Sequence, residues 1–124
     1  MAPSGGKGPV VLVVDDEPSI RLLCRVNLEL EGYEVREATS LATAREAIEA
    51  EAVAVVLLDM HLGHERGDVL LEELRAREPR IPVAVVTGSS DVDSGLRKFE
   101  ADAVLGKPFA IDELLSVVQT LSGR

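Results

Sequence analysis

Residues 53–58 read Val-Ala-Val-Val-Leu-Leu, an unbroken apolar run with the carboxylate of Asp59 directly at its end. The run is too short for an ordinary helix and is bounded by polar residues, so it predicts a strand buried on both faces. Three other apolar runs end in the same way. Val10 to Val14 leads into Asp15-Asp16, Val83 to Val86 into Thr87-Gly88, and Ala103 to Leu105 through Gly106 into Lys107-Pro108. A shorter strand fits Tyr33 to Glu37. Helical patterns fall between the strands, over about Pro18 to Glu31, Leu41 to Ala50, Asp68 to Arg77, Asp91 to Phe99 and Ile111 to Leu121. Five strands alternating with five helices predict an α/β fold, a doubly wound parallel sheet with right-handed crossovers. Ligand sites in such sheets lie at the carboxyl ends of the strands. Asp15, Asp16, Asp59, Thr87 and Lys107 would meet at that edge.

Local signals support this division. In the first helix Ile20, Leu23, Cys24, Leu28 and Leu30 form an apolar stripe opposite Arg21, Arg25 and Glu29. Gly32 follows as a helix-ending glycine, and Ser40 suits the N-cap of the second helix. His61 to Gly67 reads as a loop. Pro79 and Pro82 bracket the turn into the fourth strand.

A chain of 124 residues fits one domain and can bury a core without metals or disulfides. With 46% hydrophobic but only 2% aromatic residues, that core is built of Val, Leu, Ile and Ala. A net charge of −9 leaves no basic footprint for nucleic acid and reads most simply as an acidic surface. The lone Cys24 allows neither an intrachain disulfide nor a cysteine zinc site, and its helical position suits a buried thiol. No apolar run reaches membrane-spanning length. Residues 1–9 read as a flexible leader, native or appended, without a signal-peptide core, and the expected location is the cytoplasm.

The residues at the strand ends each have a plain use and a chemical one. Asp15 and Asp16 could cap the first helix ahead of Pro18, although two acids followed by Glu17 exceed what one cap requires. Asp59 beside them would add like-charge repulsion, which persists mainly where a cation or a function compensates. Hard oxygen ligands with room for water suit Mg²⁺. Thr87 could simply finish a strand and Gly88 start a turn; alternatively, a hydroxyl and a backbone N–H face a phosphoryl oxygen there, with Gly88 allowing close approach. Pro108, a candidate for a cis bond, fixes the chain direction after Lys107, whose ammonium could point over the acids. His61 and His64 are weak evidence for a metal pair and read as surface residues. Phosphate loops of the GxxxxGK[ST] or GxGxxG type are absent, and no Ser or Cys nucleophile has a matched histidine base.

Together, Asp15-Asp16, Asp59, Gly67 eight positions later, Thr87-Gly88 and Lys107-Pro108-Phe109 resemble the receiver domain of bacterial two-component response regulators. The resemblance runs from Val10 to the last helix and implies a receiver domain over 10–122. It implies a flavodoxin-like sheet in the order 2-1-3-4-5. Asp59 would accept a phosphoryl group from the phosphohistidine of a sensor kinase or a histidine phosphotransfer protein. Asp16, Asp59 and the backbone carbonyl of His61 would bind Mg²⁺ or Mn²⁺, with Asp15 acting mostly through metal-bound water. Thr87 would hydrogen-bond the phosphoryl group and Lys107 would pair with it. Such a domain signals by conformational change and is not an enzyme acting on other substrates; neither membrane nor direct nucleic-acid contact is expected.

Two departures stand out. Where the family has a gating Tyr or Phe in strand five, this chain has Val104, and the loop after Asp59 reads Leu62-Gly63-His64 without the common proline. Two rival functions follow. A phosphatase of the haloacid dehalogenase type needs a second Asp two residues after the nucleophile, where His61 stands. A receiver-like binding module without phosphorylation is disfavoured by the complete residue set and kept open by Val104. Whether the domain is stand-alone or a piece of a hybrid kinase or larger regulator is not fixed by these residues.

Overall fold

A computed structural model describes residues 8–88 and 101–123. The expected fourth helix over Asp91 to Phe99, and most of the expected leader, lie outside the described residues. Among the described residues the elements are β1 (Val10–Val14), α1 (Pro18–Leu30), β2 (Glu34–Ala38), α2 (Leu41–Ala50), β3 (Val55–Asp59), β4 (His61–Leu62), β5 (Glu65–Arg66), α3 (Gly67–Ala76), β6 (Val83–Gly88), β7 (Ala103–Lys107) and α4 (Ile111–Ser122). Five strands form one parallel sheet in the order β2-β1-β3-β6-β7. This is the expected flavodoxin-like order, since β6 and β7 are the fourth and fifth strands of the sheet.

Alternation along the central strands divides the core into two layers. Leu12, Val14, Val56 and Leu58 face α2 and α3, packing with Leu41, Ala44, Ile48, Leu70 and Leu74. Val11, Val13, Val55 and Leu57 face the other way, toward Cys24 and Leu28 of α1 and Leu114 and Val118 of α4. All five residues of β3 are buried, as a strand covered on both faces requires. Cys24 lies in the second layer, where burial pushes its thiol up to about 12, so it serves as core and not as a nucleophile.

Some expectations need correction. Leu23 and Leu30 do not face the core; both are exposed, as are Leu22 and Val26, and α1 buries only Cys24 and Leu28 fully. The expected stripe was wider than the strip of helix that the sheet covers. The stretch from His61 to Gly67 is not a plain loop but the antiparallel hairpin β4–β5, with Gly63 at φ +59° between its strands and Gly67 already opening α3. Neither Asp15 nor Asp16 caps α1: Glu17 is the N-cap residue, with Pro18 at the first helical position. Gly32 takes φ +92° just past the end of α1, and Ser40 accepts the Thr43 N–H at 3.1 Å as the N-cap of α2.

Candidate functional site

Register brings the acids together. Val14 stands opposite Leu58 across β1 and β3, so Asp15 and Asp59 follow as neighbours at the carboxyl edge of the sheet. Asp15 and Asp59 are buried, whereas Asp16 is exposed. One carboxylate oxygen from each of Asp15, Asp16 and Asp59 lies within 4.8 Å of the others. This all-oxygen cluster could hold a metal, and its exposed member leaves a side open to water, which fits a small hard cation.

Backbone groups aim each acid. The Glu17 N–H donates to Asp15 Oδ1 at 2.9 Å, the His61 N–H to Asp59 Oδ1 at 3.0 Å, and the Gly63 N–H to Asp16 Oδ2 at 3.0 Å. The hairpin therefore ties to the site at two points, and the His61 backbone sits at the rim of the acid cluster. The His61 and His64 residues are exposed. A Cβ on Gly67 would lie 2.5 Å from the Asp59 carbonyl oxygen and 2.9 Å from Met60 Cα, so the chain can turn from β5 into α3 against Asp59 only with glycine there.

Lys107 ends β7, two strands away from β3, and its side chain crosses the sheet edge. Its Nζ lies 3.1 Å from Asp15 Oδ2, 3.3 Å from Asp59 Oδ2 and 2.9 Å from Glu17 Oε1. Burial works against the ammonium, but Glu17, Asp15 and Asp59 outweigh it and raise its pKa, so Lys107 stays charged. Asp15 is raised, first by burial and also by the charge of Asp59, while the Glu17 N–H and Lys107 pull it back. The Lys107–Pro108 peptide bond is cis. Thr87 is buried one residue before the end of β6, opposite Gly106, and Gly88 is exposed opposite Lys107. Val104 is half-buried in β7 opposite Val85.

Two residues here were assigned no role by the sequence reading. Glu17 supplies the shortest contact to Lys107, and its place directly after two acids was the available signal. Arg21 was counted with the solvent face of α1, yet its Nη1 donates to the Asp15 carbonyl at 2.9 Å. A helix residue in the second turn after a strand-end acid can reach back to that acid's backbone, which the stripe alone does not reveal.

The chain as a whole is similar to proteins of one family. Residues 11–119 match the response regulator receiver domain. The chain is 32% identical to the DNA-binding dual master transcriptional regulator RpaA of Synechocystis, over 94% of this chain and 50% of that protein. It is 32% identical to the DNA-binding transcriptional regulator NtrC of Escherichia coli, over 89% of this chain and 24% of that one. The chain thus spans half the length or less of these relatives. Among solved structures, the receiver domain of NtrX from Brucella abortus superposes with a TM-score of 0.83 at 32% identity, covering 91% of this chain and 98% of that one. No helix among the described residues is long and apolar enough to cross a membrane.

Proposed function

We infer what this chain does from the family it belongs to, the response regulator receiver domains: it is a two-component signalling domain that takes a phosphoryl group onto Asp59. The donor is the phosphohistidine of a sensor kinase or histidine phosphotransfer protein. The observation that carries the assignment is a buried Asp59 at the end of the central strand, with a lysine ammonium at 3.3 Å and two more acids clustered around it.

Phosphoryl transfer asks for in-line positioning and neutralisation of spread negative charge more than for acid–base help. A carboxylate oxygen of Asp59 forms the new P–O bond as the P–N bond to the donor histidine breaks. The His61 N–H holds one oxygen of Asp59 and Lys107 lies against the other, so the nucleophile is fixed before the donor arrives. Asp15, Asp16 and Asp59, with the His61 carbonyl, would hold Mg²⁺ or Mn²⁺, which when bound neutralises charge on the phosphoryl oxygens. Thr87 and the Gly88 N–H are assigned to the phosphoryl oxygens, and Lys107 to their charge. On this reading the domain, over 10–122, catalyses only its own phosphorylation and hydrolysis and works in the cytoplasm. DNA binding is in the names of RpaA and NtrC, and the acidic charge of this segment argues that any such contact lies elsewhere.

Val104 favours one alternative, a binding module that keeps the fold without the modification. Intact-mass measurement with phosphoramidate and Mg²⁺, together with an assay for released phosphate, separates the readings. A single added phosphoryl group supports a receiver. Continuous phosphate release without an adduct would indicate a phosphatase, and neither would indicate the binding module.

A further inference from the structure

Asp15 is held from β2 on both sides of its Cα, and the Asp15–Asp16 peptide through its carbonyl. The Asp15 N–H donates to the Ala38 carbonyl at 3.1 Å, and its carbonyl accepts from Arg21 Nη1 at 2.9 Å. Arg21 is itself held, since its Nε donates to Glu37 Oε1 at 2.9 Å. Glu37 precedes Ala38, so the end of one strand anchors both sides of Asp15. The other oxygen of Glu37 is taken by Arg25 Nε at 2.6 Å. Arg25 belongs to the same ion-pair network but makes its other bond to Glu29.

From this geometry we propose that Arg21 is a positioning residue for the cation site: it fixes the plane of the Asp15–Asp16 peptide and so the direction in which both carboxylates leave the backbone. The proposal rests on the reading of Asp15, Asp16 and Asp59 as a Mg²⁺ site. The guanidinium suits the task because its planar fork reaches the carbonyl and Glu37 at once, and a lysine cannot reproduce that pair of bonds. Groups that orient metal ligands without touching the metal act through geometry, and their loss weakens metal affinity about tenfold or more.

The sign of the effect separates this role from simple electrostatics. Arg21 carries positive charge near a cation site. If charge were its only influence, removing it would tighten Mg²⁺ binding. If it positions the ligands, removing it weakens binding even though a repelling charge has gone. Arg25 supplies the control, since its removal takes a cation from the same network and leaves the Asp15 carbonyl bond intact.

The test is a Mg²⁺ titration followed by amide NMR shifts at Asp15, Asp16 and Asp59, on wild type, Arg21→Met, Arg21→Lys and Arg25→Met. The expected result is about tenfold weaker binding for Arg21→Met, a smaller weakening in the same direction for Arg21→Lys, and Arg25→Met close to wild type or slightly tighter. Phosphoramidate labelling should need more Mg²⁺ for half its maximal rate in Arg21→Met and approach the wild-type rate at saturation. A purely structural role would lower the melting temperature in EDTA and leave the Mg²⁺ titration unchanged. Unchanged or tighter binding in Arg21→Met overturns the proposal. Should that variant not fold, wild-type affinity in Arg21→Lys overturns it. A wild type with no Mg²⁺ response at these amides would instead overturn the reading of the site itself.

Discussion

Lys107 meets Asp15, Glu17 and Asp59 with one ammonium, and two of those carboxylates are buried. Replacing it leaves Asp15 without its cation in a place where water cannot fully take over. Lys107→Ala should therefore cost about 1–3 kcal/mol in urea unfolding with EDTA present, the range for stranding a buried polar group. Stability equal to wild type would mean that Asp15 needs no cation. Gly67 is constrained by contact and not by backbone angle. Its missing side chain leaves room for the Asp59 carbonyl, and the atoms a Cβ would strike are backbone. Gly67→Ala should cost about 1–3 kcal/mol, as overpacking does, and slow labelling of Asp59 by shifting its peptide. An alanine variant with wild-type melting and labelling would show that β3 and α3 can separate freely.

At the scale of the element, α1 separates pattern from burial. Leu28 and Leu30 both belong to the apolar stripe read from the sequence, yet Leu28 is 0% exposed and Leu30 77%. Leu28→Ala should cost about 2–5 kcal/mol through a core cavity. Leu30→Ala should stay within about 0.5 kcal/mol in the same denaturation experiment. Similar losses at both would mean that α1 rotates in solution. Strand limits show a related effect. The apolar run 53–58 is almost the strand 55–59, displaced because Val53 is buried before the ladder begins and Asp59 pairs with Val86 despite its charge. Hydrophobicity reports burial, whereas a strand is defined by its hydrogen bonds, so the strand was legible and its ends were less so. The β4–β5 hairpin was not legible at all. Two residues per strand give no period, and the bond that ties its turn to Asp16 spans 47 residues of sequence. The Ser40 cap, by contrast, is a local bond within three residues, and local chemistry was enough to place it.

For the whole molecule, the sheet order followed only from the family resemblance, but the meeting of Asp15, Asp16, Asp59 and Lys107 at one edge was legible because parallel βα units leave all strand ends on the same side. The bonds from Glu17 and Arg21 were not, because they depend on how α1 leaves that edge. On the proposed reading the collected charge should give the molecule a measurable response to cations. Mg²⁺ bound only by the folded state adds RT ln(1 + [L]/Kd), about 1.4 kcal/mol at tenfold excess over Kd. For a domain of this size that raises the melting temperature by a few degrees. Asp59→Asn removes one of the clustered charges and should melt higher than wild type in EDTA, with a smaller gain from Mg²⁺. A wild type indifferent to Mg²⁺, with an Asn variant less stable in EDTA, would mean that the acids do not act as one site.

Whether Asp59 carries the phosphoryl group is read out by intact mass with peptide mapping after phosphoramidate and Mg²⁺, on wild type beside Asp59→Asn. One phosphoryl group is expected per wild-type chain, mapped to Asp59 and absent when EDTA replaces Mg²⁺, and none on the variant. Equal labelling of Asp59→Asn, or a wild-type label mapped to another residue, would contradict it.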